Sequence, residues 1–346
     1  MSRNLVAIVS STLFVLLAAA LVLVPVPFVA WRPGQTVDVL GSNADGPLIE
    51  ISGISTSEGS GSLLLTTVST TRVDSSLSLP EALIAHVAGD SDAMPRDVVY
   101  PPGKSSEDVQ SEAVAMMDTS RNNATVAALR AAGQAVTEMP MVSGVGLSGP
   151  AADLLQPGDL IETVNGTPVA NREEVGTAIR SASVGDAVVF QVIREGVSQV
   201  VTVTTVAGSS GGSMIGINLS DGYRYAPTVT YHIDPDIVGP SAGLIFALAV
   251  YDRITDGLIP QDAVIAGTGT IDASGKVEAI GAVREKIKGA EKAGATVFLL
   301  PQDNCADVGD LNTDVRLIPV STLRDAIAAL QLMNEGEPNP EVPVCG

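Results

Sequence analysis

Histidine, cysteine and lysine are scarce in this chain, and basic charge is short throughout. Nineteen Lys and Arg stand against 39 Asp and Glu over 346 residues, a formal charge of −20. Binding to a nucleic-acid backbone needs clustered cations, and no basic stripe exists, so no nucleic acid is expected as a partner. Two histidines and two cysteines are too few for an ordinary zinc centre, and no cofactor is expected. Gly103-Lys104-Ser105 ends like a phosphate loop, but Val98 stands where the leading glycine belongs, so no ATP-driven activity is expected within the chain. Aromatics are 3% of residues against 45% apolar, so aliphatic side chains must fill the core. Only five lysines occur, and Lys276, Lys286, Lys288 and Lys292 share one 17-residue window.

What is abundant comes first at the N-terminus. Residues 5–24 carry no charge and, as a helix, span roughly 30 Å, the thickness of a bilayer core. Pro25, Pro27 and Trp31 then suit the far interface. A cleaved signal peptide is the competing reading, but its apolar region is usually shorter and ends in small residues. An uncleaved anchor is the expectation, with the lipid bilayer as a partner. Arg3 and the terminal amine put the N-terminus in the cytoplasm and the body outside the cell membrane. Cys305 and Cys345 fit an oxidising compartment and could form a disulfide, or be two unrelated thiols.

The remainder divides into blocks. Short strands are expected over 37–40, 48–51 and 62–68, then helices over 79–88, 105–117 and 125–132, with a loop at 96–104. From residue 136 the pattern turns to strands around one helix at 173–181, with another strand at 187–194. Pro157-Gly158-Asp159-Leu160-Ile161-Glu162-Thr163-Val164-Asn165-Gly166-Thr167-Pro168-Val169 joins a Pro-Gly turn, a strand and an Asn-Gly hairpin. This element resembles a PDZ domain of the bacterial protease type, which implies binding of extended peptides by strand addition. The resemblance implies a carboxylate loop, and Val145, Gly146, Leu147 and Ser148 are its expected counterpart. An ordinary small β domain is the alternative. Ala207-Gly208-Ser209-Ser210-Gly211-Gly212-Ser213 reads as a flexible linker.

The chemistry concentrates beyond it. Gly239-Pro240-Ser241-Ala242-Gly243 leads into the uninterrupted apolar run 244–250, the pattern of a buried helix. Pro240 suits a first helical position, so Ser241 falls in the opening turn beside unpaired amides, where a nucleophile and oxyanion donors could coincide. A plain helix cap is the alternative for Ser241. A serine nucleophile needs a base. On a helical wheel over 281–294, Val283, Ile287, Ala290 and Ala293 form the apolar arc; Lys286 falls inside it, while Glu285, Lys288 and Lys292 face water. Burial lowers a lysine pKa and makes a neutral amine available, though a snorkelling lysine has the same sequence signature. His232, nine residues before Ser241 and able to reach Asp234, offers a rival Ser-His-Asp arrangement; His86 reads as an ordinary surface histidine.

Those elements, with Ala266-Gly267-Thr268-Gly269-Thr270-Ile271 and Gly275-Lys276-Val277-Glu278-Ala279-Ile280-Gly281-Ala282-Val283-Arg284-Glu285-Lys286, resemble the proteolytic domain of the Lon family from about residue 214 to 330. The resemblance implies Ser241 as nucleophile and Lys286 as base. It implies Thr268 as the residue that positions the lysine, with Gly239, Pro240 and Ala242 in support. Val238 and Ala282 depart from the family pattern, which has an acidic residue or Gly and a second Gly there. The order of anchor, PDZ domain and Lon-type domain is similar to membrane-bound Lon-like PDZ peptidases of bacteria. It implies protein or peptide substrates and a possible homo-oligomer, a hexameric ring in the family. The expected class is α/β (α+β): an anchor at 1–31, a β and helical region at 32–135, a PDZ-like module at 136–207, a linker at 208–213, a Lon-type domain at 214–333 and a tail at 334–346. An inactive peptide-binding scaffold on the cell surface is the alternative function.

Overall fold

A computed structural model describes residues 3–44, 46–57, 61–72, 75–87, 91–100, 103–208, 211–255, 257–334 and 342–345. Pro101 and Pro102 of the expected loop, Ser209 and Ser210 of the expected linker, and most of the expected tail lie outside the described residues, as does the N-terminal amine. The helices include α1 (Arg3–Leu23), α2 (Leu79–Val87), α3 (Ser106–Ala131), α4 (Arg172–Ser181), α5 (Gly243–Ile254), α6 (Val283–Lys292) and α7 (Leu323–Asn334). The strands include β1 (Pro25–Val26), β2 (Phe28–Asp38), β3 (Ile49–Ser52), β4 (Ser62–Thr70), β5 (Leu77–Ser78), β6 (Asp92–Pro95), β7 (Thr137–Val145) and β8 (Leu160–Val164). They continue with β9 (Ala187–Arg194), β10 (Val197–Thr204), β11 (Ile217–Arg224), β12 (Thr228–Tyr231), β13 (Val264–Gly267), β14 (Val297–Pro301) and β15 (Arg316–Val320).

The chain forms two compact units, and the second interrupts the first. Residues 1–133 and 227–346 make one unit; residues 134–226 make the other. The expected division into a separate region at 32–135 and a domain at 214–333 is therefore corrected. Strands from both segments share one six-stranded sheet in the order β15-β14-β13-β4-β2-β6. The join lies at β4, which pairs in parallel with β13, Leu63 against Ile265 and Leu65 against Gly267. Apolar runs such as Val297-Phe298-Leu299-Leu300 are buried on both faces, as a central parallel sheet requires.

Two expected helices, 105–117 and 125–132, are one 26-residue helix, α3. Ser105 and Asp108 close its start in a reciprocal capping box, and no glycine or proline breaks the polar stretch between the two apolar patterns. That stretch is polar because it has partners. Ser120 Oγ donates to the Pro240 carbonyl at 2.9 Å, and Asn123 Nδ2 to the Ile271 carbonyl at 3.2 Å. Helix α5 runs beside α3 with Leu244 through Val250 fully buried, and the Phe246 ring meets Tyr231 at 4.9 Å.

In the other unit the sheet order is β10-β9-β8-β7-β11, with α4 packed against it. Asn165 and Gly166 take φ of 50° and 77°, the left-handed pair of a tight hairpin turn. Asp159, fully buried, accepts two 2.7 Å bonds from the Arg194 guanidinium, so the aspartate of the Pro-Gly-Asp element ties β9 to the turn. The expected linker at 208–213 does not end this unit. β11 pairs with β7 along its length, and Ile215 joins the unit's core.

Helix α1 extends from the first unit's N-terminus. Residues Asn4–Leu23 are long and apolar enough to cross a membrane, and their large side chains are exposed. Near the C-terminus, Cys305 and Cys345 are joined by a disulfide.

Gly243 marks a tight approach at the start of α5. A Cβ there would sit 2.8 Å from Ile271 Cγ2 and 2.9 Å from Ser120 Oγ. Gly243→Ala is expected to cost about 1–3 kcal/mol in chemical denaturation, because α5 must move away from α3 to admit the methyl.

Candidate active site

Ser241 sits in a 3-10 turn, Pro240–Ala242, that runs straight into α5. Gly239 has φ of +102°, so the chain enters this turn through a conformation suited to glycine. Bonds from outside hold the turn: Gly239 N–H donates to Ala113 O at 3.2 Å, Ser120 Oγ to Pro240 O, and Gly269 N–H to Ser241 O at 2.9 Å. Backbone amides at such a start have no intrahelical acceptor and point where a developing anion could be held. Ser241 itself is partly exposed.

Lys286 reaches the turn from α6. Its Nζ donates to Ser241 Oγ at 2.7 Å and to Thr268 Oγ1 at 2.9 Å, and the residue is 3% exposed. Thr268, fully buried at the end of β13, donates its own hydroxyl to Ser241 O at 3.1 Å. Burial pushes the Lys286 amine from the ordinary 10.5 down to about 7. Among the described residues no carboxylate forms an ion pair with it. Ser241, Lys286 and Thr268 are thus brought together. A neutral amine held by Thr268 can turn its lone pair to the serine proton.

The wheel places Lys286 correctly but misplaces its neighbour. Glu285, expected to face water, is 5% exposed, and burial first and Asp92 second raise its pKa. The reason lies in β2, which covers this side of α6. A Cβ on Gly281 would lie 3.3 Å from the Trp31 ring, and one on Gly289 3.6 Å from Pro33. The expected division puts Trp31 in the anchor at 1–31 and Pro33 in the region at 32–135, whereas both lie on this one strand. Ala282, in place of the family's second glycine, takes φ of +58° at the start of α6. His232 does not supply a base here. Its Nε2 lies 3.2 Å from Glu50 Oε2, and His86 pairs with Asp92 on the surface.

A cavity of about 840 Å³ opens onto Ser241 and Lys286. One wall is β4 from Leu65 to Thr70; Asp234, Asp236 and Gln110 line the other parts. Beyond Leu65, β4 has left its partner β13, so that edge borders the cavity with no neighbouring strand among the described residues.

The second unit has its own groove, about 780 Å³, between α4 and the outer edge of β11. Its lining includes Ile179, Arg180, Met214, Ile215, Gly216 and Ile217. Val145, Gly146, Leu147 and Ser148 do not line it. Leu147 is wholly exposed, and Gly146 touches the groove loop only through its N–H on Gly216 O at 2.8 Å. The groove loop instead comes from Ile215-Gly216-Ile217, an apolar-Gly-apolar signature hidden beside the Gly/Ser-rich stretch taken as a linker.

Comparison with known proteins agrees with both halves of this description. Residues 234–332 match the family model of the Lon protease (S16) C-terminal proteolytic domain, and residues 119–205 match a PDZ domain. The chain carries a Lon-type proteolytic domain and a PDZ domain. Lon protease 1 of Sorangium cellulosum is 42% identical over 94 residues, 26% of this chain and 11% of the relative. Lon protease of Chloroflexus aurantiacus is 38% identical over the same length and the same shares. The chain thus spans about a tenth of the length of these curated relatives. The crystallised PDZ domain of an SdrC-like protein from Listeria monocytogenes is 29% identical, covering 23% of this chain and 86% of that one, with a TM-score of 0.23. The Lon-type match begins close to where the second unit ends, so its strands β2 and β4 come from sequence that the family model leaves unmatched.

The buried amine has a stability consequence in the Lon-type unit. Between pH 7 and 10.5 the unfolded chain holds a proton on Lys286 that the folded chain has lost, so stability rises with pH across that window and is flat below it. Lys286→Met is therefore expected to raise stability at pH 8 by an amount on the order of 2–3 kcal/mol, with the gain shrinking towards pH 10.5, in denaturation series at stepped pH.

Proposed function

We propose that this protein is a membrane-anchored serine endopeptidase with a Ser241–Lys286 dyad, facing the extracytoplasmic side. The observation that carries the reading is the 2.7 Å contact between the Ser241 hydroxyl and an amine buried enough to be neutral near pH 7. In the proposed reaction Ser241 Oγ attacks the scissile carbonyl and Lys286 Nζ takes its proton. Amides at the opening of α5 hold the oxyanion. The protonated amine then delivers the proton to the leaving nitrogen, the acyl-enzyme forms, and water hydrolyses it with the amine again as base. Thr268 fixes the amine between these steps, and its 2.9 Å bond supports that role.

The PDZ unit supplies substrate contact. Its free β11 edge opposite α4 supports the addition of a peptide strand, with Arg180 available to a terminal carboxylate. α1 supports the membrane anchor, and the Cys305–Cys345 bond supports an oxidising compartment.

Ser241→Ala and Lys286→Ala should each lower cleavage of unfolded casein, followed by mass spectrometry without ATP, by a factor on the order of 10⁴. Cleavage by either variant at the native rate would reject the dyad. The native rate should climb with pH through a midpoint near 7, as the amine loses its proton. Arg180→Glu should weaken binding of carboxy-terminal peptides about tenfold while leaving cleavage of a short fluorogenic peptide unchanged.

A further inference from the structure

Helix α2 has one face the protein does not use. Ala82 and Ala85 are buried against the first unit, while Leu79, Leu83, Ile84 and Val87 are 38, 53, 67 and 79% exposed. At 100° per residue these four, with Pro80, occupy one continuous arc of about 140°, and Glu81 and His86 stand at its two borders. An apolar arc of this width on a nine-residue helix is out of place in water.

Its position states what covers it. α1 ends at Leu23, and Pro25 and Val26 of β1 follow almost at once. β1 pairs with β5, Pro25 opposite Ser78 and Val26 opposite Leu77, and Ser78 is the residue immediately before α2. Paired strands lie about 4.8 Å apart, so α2 starts within one strand spacing of the point where α1 leaves the hydrocarbon. The helix is only about 14 Å long, and α1 packs against it. No part of α2 can stand far from a bilayer that α1 crosses.

We propose that α2 lies in the membrane interface, with Leu79, Leu83, Ile84 and Val87 seated at the headgroup–acyl boundary. The inference rests on the reading of α1 as a membrane span and adds a second, lateral contact. The proteolytic unit is then held down on the bilayer at two places rather than swinging from one helix. Glu81 and His86 lie at the borders of the arc, where headgroups and water meet it.

The test uses the full chain in phosphatidylcholine–phosphatidylglycerol vesicles doped with a phosphatidylcholine that carries a diazirine near the glycerol end of one acyl chain. After photolysis, peptide mass spectrometry should locate lipid adducts on α1 and also on Leu83, Ile84 and Val87. Val197 and Val200 of β10, which are as apolar and as exposed, should stay at background. Paired Leu83→Glu and Ile84→Glu substitutions, both at exposed positions, should cut α2 labelling several-fold and leave α1 labelling unchanged. Adducts on α1 with α2 at the β10 background overturn the interfacial helix while the span stands; a second copy shielding α2 gives this same pattern. Absence of adducts on α1 overturns the span and the interfacial contact together.

Discussion

The structure turns on one amine kept out of water. In the proposed reaction Lys286 serves Ser241 only while it lacks a proton, and burial is what lowers its pKa to about 7. Several distant pieces share that task. Helix α6 supplies the lysine, the threonine that accepts its bond directly follows β13, and the turn before α5 presents the hydroxyl at 2.7 Å. The second wall of α6 is β2, from the first forty residues, whose Trp31 and Pro33 pack where glycines 281 and 289 leave room. Together they bury the nitrogen, and that burial is what lowers its pKa from 10.5.

The same constraint explains why α3 is long and polar in its middle. A serine held within hydrogen-bond distance of a buried amine cannot ride on a mobile turn. Ser120 holds the carbonyl just before Ser241, and Asn123 holds Ile271 in the hairpin beside it. Neither side chain touches Lys286. Both keep the turn where the amine can reach it, which is why a stretch that looks like a helix break is a continuous helix.

Much of the site is legible in the sequence because it is local. The run Gly239-Pro240-Ser241-Ala242-Gly243 sets its own turn, and the wheel over α6 separates Lys286 from Lys288 through a simple period of 3.6. What escapes is non-local. Glu285 looks solvated until β2, some 250 positions earlier, is seen to cover it. The groove loop around Gly216 escapes because a Gly/Ser-rich stretch reads as a linker, whereas here it connects two strands of the same unit. The division of the chain fails for a related reason: composition marks where segments change character, and it is silent on which segments return to pair with one another.

That return has a consequence for the order of events during synthesis. Thr66 and Gly267, hydrogen-bonded across the centre of the sheet, are 201 residues apart in the chain. The segment holding β4 emerges from the ribosome with its parallel partner still unmade, while residues 134–226, a compact unit of their own, are all synthesised before β13 exists. The serine, threonine and lysine are translated only after that. The hydroxyl, the threonine and the amine meet only once the two halves of this sheet have joined, so the arrangement around Lys286 cannot exist while the chain is still extended.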